Sequence, residues 1–488
     1  MTMLSRIIII LLFAGLCSCS DSSLLKKIPA DAETVLYADF KKLALQSLDP
    51  ALLLSENRAG ENAASKKDWK NSGIDFLEGA VFFSRKTGQE SRKWFILIPL
   101  SDAEEFRTFC TGMGASRDKT NSDWLSLNNN RIYVQPELAL FILSSEAETA
   151  AFFSGQAKEI LTQKEENNLL SKFPSFESVL DKGKAISFWA NLQPALSGSS
   201  NLLPEDFLSG EVCGSLDFKS GELVLEAVHF SPDSGNTNSI LGAPVQARLL
   251  DSIEVQDKTA GMLALSLSPE RIYKMLESLG YSSTGSIMAA QFGLSLEEIM
   301  QVLSGEIVVT TAETSDQSQG IPELLIRLGI RKPAGSILAA MSRSGLLSPA
   351  GSGKYGISEI PGTIIRAEEK YIEIATSGFQ TKRKTDSELK EFASGTPAQI
   401  ICSINLEKIK DVLLANTAPA ETVIAGNHWK NFRMRMDKDD AGNTRMMCSL
   451  TCKNEEDNSL FILMKSLNEI STGSSTEENE QKKALPFF

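Results

Sequence analysis

Ile186-Ser187-Phe188-Trp189-Ala190-Asn191-Leu192 has a counterpart far along the same chain, Ile400-Ile401-Cys402-Ser403-Ile404-Asn405-Leu406, and both read as a strand running into a helix. Outward from this pair the order of elements repeats. Val35-Leu36-Tyr37-Ala38-Asp39-Phe40 is echoed by Met262-Leu263-Ala264-Leu265-Ser266-Leu267, and Leu77 to Phe83 by Leu303 to Val309. Trp94 to Pro99 with a helix over Asp102 to Gly112 corresponds to Leu324 to Gly329 with a helix over Ala334 to Ser342. Arg131 to Val134 and Leu140 to Leu143 correspond to Thr363 to Arg366 and Tyr371 to Ile374. Each half closes on a long hairpin, turning at Lys219-Ser220-Gly221 in one and between Asp437 and Asn443 in the other, with glycine where such turns favour it. Matched elements in one order point to an internal duplication.

The alternation of Met434 and Met436 with Arg433 and Arg435 is the pattern of an antiparallel sheet with one wet face. Helices follow the strands irregularly, without strict βαβ order. The expected fold class is therefore α+β: two tandem similar halves, each an antiparallel sheet with helices packed on one face. Ser231 to Asn238 is rich in turn formers and marks the boundary. The expected segments are a first half over 31–232, a linker over 233–257, a second half over 258–470, and a polar, disordered tail over 471–488 that ends in the apolar tip Ala484 to Phe488.

The start of the chain speaks of location. Arg6 precedes an apolar run from Ile7 to Leu16, which suits a signal segment and is too short to cross a hydrocarbon core of about 30 Å as a helix. It ends in Leu16-Cys17-Ser18-Cys19-Ser20, where Cys19 has a leucine three before it and a small residue just before it. The expectation is a signal peptide over 1–18, lipid attachment (palmitate or a like acyl group) at Cys19, and a tether over 19–30. The mature opening Ile28-Pro29-Ala30-Asp31-Ala32, followed by a strand and a helix, resembles the uncharacterised Bacteroidetes-type lipoproteins that begin with an "IPxDA" phrase. That resemblance implies export and a lipid anchor, and carries no catalytic residue. Ser20 after the cysteine favours the outer membrane under the enterobacterial sorting rule.

Composition excludes some partners. At 42% hydrophobic and 23% charged residues the body is ordinary globular material, and 488 residues exceed one core. The formal charge is −13, and losing Arg6 with the signal makes it more negative still. Such a balance repels phosphate backbones and anionic lipid faces, so nucleic acid is excluded as a partner and the acyl group must do the anchoring. Cys110, Cys213, Cys402, Cys448 and Cys452 follow the signal. Cys448 and Cys452 share a strand face about 13 Å apart and cannot bridge each other; either could reach Cys402 on an adjacent strand, although small buried thiols are the expected state.

Catalytic constellations mostly fail. His229 and His428 are the two histidines, too few for usual zinc sites and the sole bases for any Ser/His/Asp scheme. Gly351-Ser352-Gly353-Lys354-Tyr355 imitates a phosphate loop but lacks its first glycine and its metal-binding hydroxyl. Asp437 to Gly442 begins like a calcium loop, yet Cys448 stands where the bidentate glutamate belongs. No catalytic, cofactor or metal residue is assigned. Asp39 and Asn191, at strand ends, are the polar positions to test for a carboxylate-dependent glycan hydrolase; with Ser266 and Asn405 they read as helix caps. The expected function is a lipid-anchored envelope protein that binds or scaffolds an envelope protein or polymer.

Overall fold

The computed structural model describes residues 24–46, 71–87, 91–119, 121–144, 148–180, 183–195, 209–231, 241–246, 249–250, 259–278, 280–291, 293–312, 323–351, 353–357, 360–376, 397–409, 427–467 and 469. Cys19, the stretch 1–18 expected as a signal and the stretch 471–488 expected as a tail lie outside them. The chain divides into two units, Met1–Pro232 with Glu456–Leu467, and Asp233–Glu455 with Asn468–Phe488.

Alternation sets the direction of each strand in the first unit. In β1 (Ala32–Ala38) Val35 and Tyr37 are buried, while Leu36 between them is 37% exposed. The remaining strands are β2 (Ala80–Thr87), β3 (Ser91–Pro99), β4 (Ser116–Arg117), β5 (Trp124–Leu127), β6 (Asn130–Val134), β7 (Leu138–Leu143), β8 (Ile186–Asn191), β9 (Glu211–Lys219) and β10 (Glu222–Phe230). Their antiparallel pairings run in the order β10-β9-β8-β1-β2-β3-β7-β6-β5-β4. Val35, Tyr37, Val81, Phe83, Phe95 and Leu97 face a layer formed by Phe153, Ala157 and Ile160 of the helix Ala150–Thr162 and by Leu169, Phe176 and Val179 of the short helices after it. Leu24, Leu25 and Ile28 join this core, so part of the stretch expected as a tether is folded into the unit.

The second unit contains β11 (Thr259–Ser266), β12 (Leu303–Ala312), β13 (Glu323–Ile330), β14 (Leu347–Pro349), β15 (Lys354–Ile357), β16 (Ile360–Ala367), β17 (Tyr371–Thr376), β18 (Ile400–Asn405), β19 (Trp429–Lys438) and β20 (Thr444–Cys452). Its antiparallel order is β20-β19-β18-β11-β12-β13-β17-β16-β15-β14. Antiparallel sheets with helices interspersed make the chain α+β.

Helices cover both faces of the first unit, which corrects the expectation of cover on one. In the first unit Phe106 of the helix Ala103–Gly112 meets Phe141 edge-on at 6.1 Å, and Phe141 points away from the core residues Leu140 and Ile142 beside it. Strand residues alternate in direction, so a strand apolar at every position, as β7 is, needs cover on two sides. In the second unit Val245, Leu249, Met262, Ala264 and Val308 gather on one face. Ile337 and Leu338 of the helix Gly335–Arg343 pack with Ile365 and Ile372 on the other.

Local chemistry fixes the helix starts. Asp102 accepts from the amides of Glu104 and Glu105, and Ser295 and Glu298 form a reciprocal capping box at the helix Leu296–Val302. Gly305 has φ +90°, and a Cβ there would lie 1.8 Å from the Leu267 carbonyl oxygen, so the chain passes at a distance only glycine permits.

Candidate functional site

The polar strand-end residues do not converge. Asp39 accepts from the Lys42 amide at 3.0 Å and pairs with the Lys42 ammonium at 2.8 Å, which makes it a helix cap. β1 and β8 are antiparallel, with Ala38 opposite Ile186 and Thr34 opposite Ala190. Asp39 and Asn191 therefore stand at opposite ends of the pair, about 20 Å apart along the strands, too far to share one bond in a glycan. Asn405 caps as expected, accepting from the amides of Glu407 and Lys408. Ser266 instead lies in the ladder, and Ser268 takes the cap position with its hydroxyl toward the Arg271 amide.

The histidines are engaged. His229 Nε2 donates to the Ser209 carbonyl at 2.9 Å, and His428 Nε2 donates to the Glu469 carboxylate at 2.9 Å. Among the described residues Cys110, Cys213, Cys402, Cys448 and Cys452 are free thiols. Cys402 and Cys448 are separated by β19, with Met434 between them in register, so the adjacency a bridge requires is missing. Burial pushes the Cys110 thiol up to about 12, and burial with the nearby Glu211 charge does the same for Cys213, against a hydrogen bond with Ser175. Among the described residues no three His, Cys, Asp or Glu side chains gather as metal ligands, and no described helix is long and apolar enough to cross a membrane.

The two loop motifs are hairpin turns. Gly351 and Gly353, both with positive φ, join β14 to β15 and border an open cleft of about 330 Å³ with Ser342, Lys354 and Tyr355. A phosphate loop joins a strand to a helix whose N-terminus faces the anion, and no helix begins here. Asp439 accepts from the amides of Ala441 and Asn443, its own turn, in place of an ion.

What the strands do assemble is a pair of apolar faces. Opposite the first core, one row of neighbours runs Ala227, Gly214, Phe188, Leu36, Phe82, Ile96, Phe141, Ile132 across eight strands. In the second unit the row Cys448, Met434, Cys402, Leu263, Val309, Ile326, Ile374, Ile365 does the same. Neither row holds a charge. The helix at Phe106 covers one end of the first row; Phe82 and Phe188 are half-buried, and Leu36 and Trp94 on the same face are exposed. Such a row offers apolar burial and carries no charged group of its own. Its sequence signal is a strand apolar at consecutive positions, Trp94-Phe95-Ile96-Leu97-Ile98, within an antiparallel sheet.

The core-facing rows differ between the units. Val81, Leu97, Leu140 and Tyr133 neighbour one another in the first, and Val308, Arg327, Glu373 and Arg366 in the second. Arg327 Nε donates to Glu373 at 2.9 Å with both side chains buried, Arg366 pairs with the other carboxylate oxygen, and the Arg327 guanidinium lies 4.7 Å from the Tyr371 ring centroid. Arg327 Nη1 also donates to the Leu249 carbonyl at 3.3 Å. Sequence reading passed over this network, although opposite charges at facing positions of neighbouring strands were its signal.

No family model matches the chain, and no curated protein does. Two solved structures, crystal forms I and IV of TP0453, align at 12% identity with TM-scores of 0.27 and 0.28. They cover 44% and 46% of this chain and 81% and 91% of their own. Likeness at that level defines no shared fold.

Proposed function

We propose that this chain is a lipid-anchored lipoprotein of the bacterial envelope, held by an acyl group on Cys19 and sorted to the outer membrane, and that it binds or scaffolds a protein or polymer there. The two units are read as copies of one ancestral unit. The observation that carries the reading is the identical order of ten antiparallel strands in each unit, with the uncharged apolar row at the same place in both. Repetition multiplies surface, and two similar faces on one chain raise effective binding strength when both are engaged. The run Leu16 to Ser20 supports the anchor.

Cross-linking in intact cells, followed by detergent purification of the full chain and mass spectrometry of the adducts, tests the binding role. A stoichiometric envelope protein or glycan on the purified chain is the expected result. A chain recovered with no adduct contradicts the binding and scaffolding role.

A further inference from the structure

We propose that the end of the first unit carrying the β2–β3 hairpin rests on the lipid bilayer, with Trp94 in its interfacial layer. The inference rests on acylation of Cys19. Its first support is the length of chain between lipid and fold: Leu24 is already buried, and the steps from Cys19 to Leu24 span at most about 17 Å when extended. Whatever surface surrounds the entry of the chain is thereby held close to the hydrocarbon.

The second support is what that surface carries. Asp31, just before β1, pairs with Arg85 of β2 at 2.9 Å, and Arg85 also pairs with Glu159 at 2.7 Å. Gln163, shortly after, donates to the Lys26 carbonyl at 3.0 Å. These contacts place the entering segment at the hairpin end of the sheet. There Trp94 stands 46% exposed, on the face opposite the core, beside Ser84 and Thr34 in register, with exposed Leu36 on the same face. Trp124, Trp189 and Trp429 are buried. A half-exposed indole, apolar in its body and polar at its N–H, suits the boundary between headgroups and acyl chains.

The third support concerns charge. Arg85 pairs with Asp31 and Glu159, Arg92 with Glu33 at 2.6 Å, and Lys93 with Glu148 at 2.6 Å. The hairpin base therefore offers little net charge to an anionic headgroup, and contact with a neutral bilayer is expected. That fits a chain whose overall charge repels anionic lipid.

The test uses the full-length acylated protein on vesicles of phosphatidylcholine with brominated acyl chains, in a Trp69→Phe background because Trp69 lies outside the described residues. Flotation reports the anchor, and bromine quenching of indole fluorescence reports the hairpin. Quenching should be clear in the parent, lost in Trp94→Phe with flotation unchanged, and reduced in Leu36→Asn, which keeps the indole. Flotation without quenching, or equal quenching in Trp94→Phe, overturns the inference and leaves the anchor standing. Failure to float overturns the anchor and the inference together.

Discussion

Replacing Glu373 with leucine should unsettle the second unit far more than replacing Arg327 and Glu373 together. In the wild-type chain the Arg327 side chain is 4% exposed and that of Glu373 2%, and they form a hydrogen-bonded pair at 2.9 Å that also engages Arg366. Glu373→Leu strands the Arg327 guanidinium in a dry setting without its carboxylate, and breaking a buried pair in this way costs about 3–5 kcal/mol. The double variant Arg327→Leu/Glu373→Leu removes both charges and installs the leucines that occupy the corresponding row of the first unit, Leu97 and Leu140. Apolar replacement of a whole buried pair is neutral or stabilising by about 1–4 kcal/mol, so the double variant should match the parent or exceed it. With a urea slope of about 3 kcal/mol/M, the single change lowers the midpoint by about 1–2 M. Trp429 is the only tryptophan between Asp233 and Glu455 and is buried, so its resonance in 5-fluorotryptophan-labelled protein reports this unit's unfolding. A double variant as weak as Glu373→Leu would refute the argument that an uncompensated buried charge, and not lost packing, is the cost.

Gly305→Ala should destabilise the second unit by at least about 2 kcal/mol, because φ +90° and the Leu267 carbonyl both reject a Cβ; an unchanged melting temperature would contradict that contact. Native protein treated with a thiol reagent at pH 8 should label half-buried Cys448 first and Cys110 and Cys213 only on unfolding, since burial holds both of the latter near 12; rapid native labelling of Cys110, read by peptide mass, would be inconsistent. For Asp217, burial raises the carboxyl but hydrogen bonds from Lys184 and Gln46 hold it below its ordinary value. A folded pKa below the unfolded one means its stabilisation is present above about pH 4 and is lost as pH falls through the folded value. Asp217→Asn should therefore flatten the acid limb of the stability curve, and an unaltered limb would argue against the assignment.

Much of the fold was legible in the sequence because its strongest signals are local. The helix expected over Asp102 to Gly112 forms at Ala103–Gly112 with Asp102 as its cap, and the glycine turns marked the hairpins β9–β10 and β19–β20. The side a helix covers is not local: Phe106 reaches the far face only because β7 is apolar on both sides, a fact about packing that no single window contains. The short strands β4, β5, β14 and β15 escaped because two to four residues carry too little alternation. At the phosphate-loop and calcium-loop imitations the chain forms hairpin turns, which explains why glycine and aspartate gather there. The Arg327–Glu373 pair went unread because an arginine inside Leu324 to Gly329 looks like an outward-facing position until its neighbour Glu373 is known. The apolar faces went unread for the same reason, since a row across eight strands exists only once the pairing is known.

The account stands or falls on the amino terminus of the mature chain. Mass spectrometry of the N-terminal peptide from protein purified out of native membranes should find Cys19 as the first residue, bearing a thioether-linked diacylglycerol and an amide-linked acyl chain. An unmodified Cys19, or a chain that still begins at Met1, would contradict it.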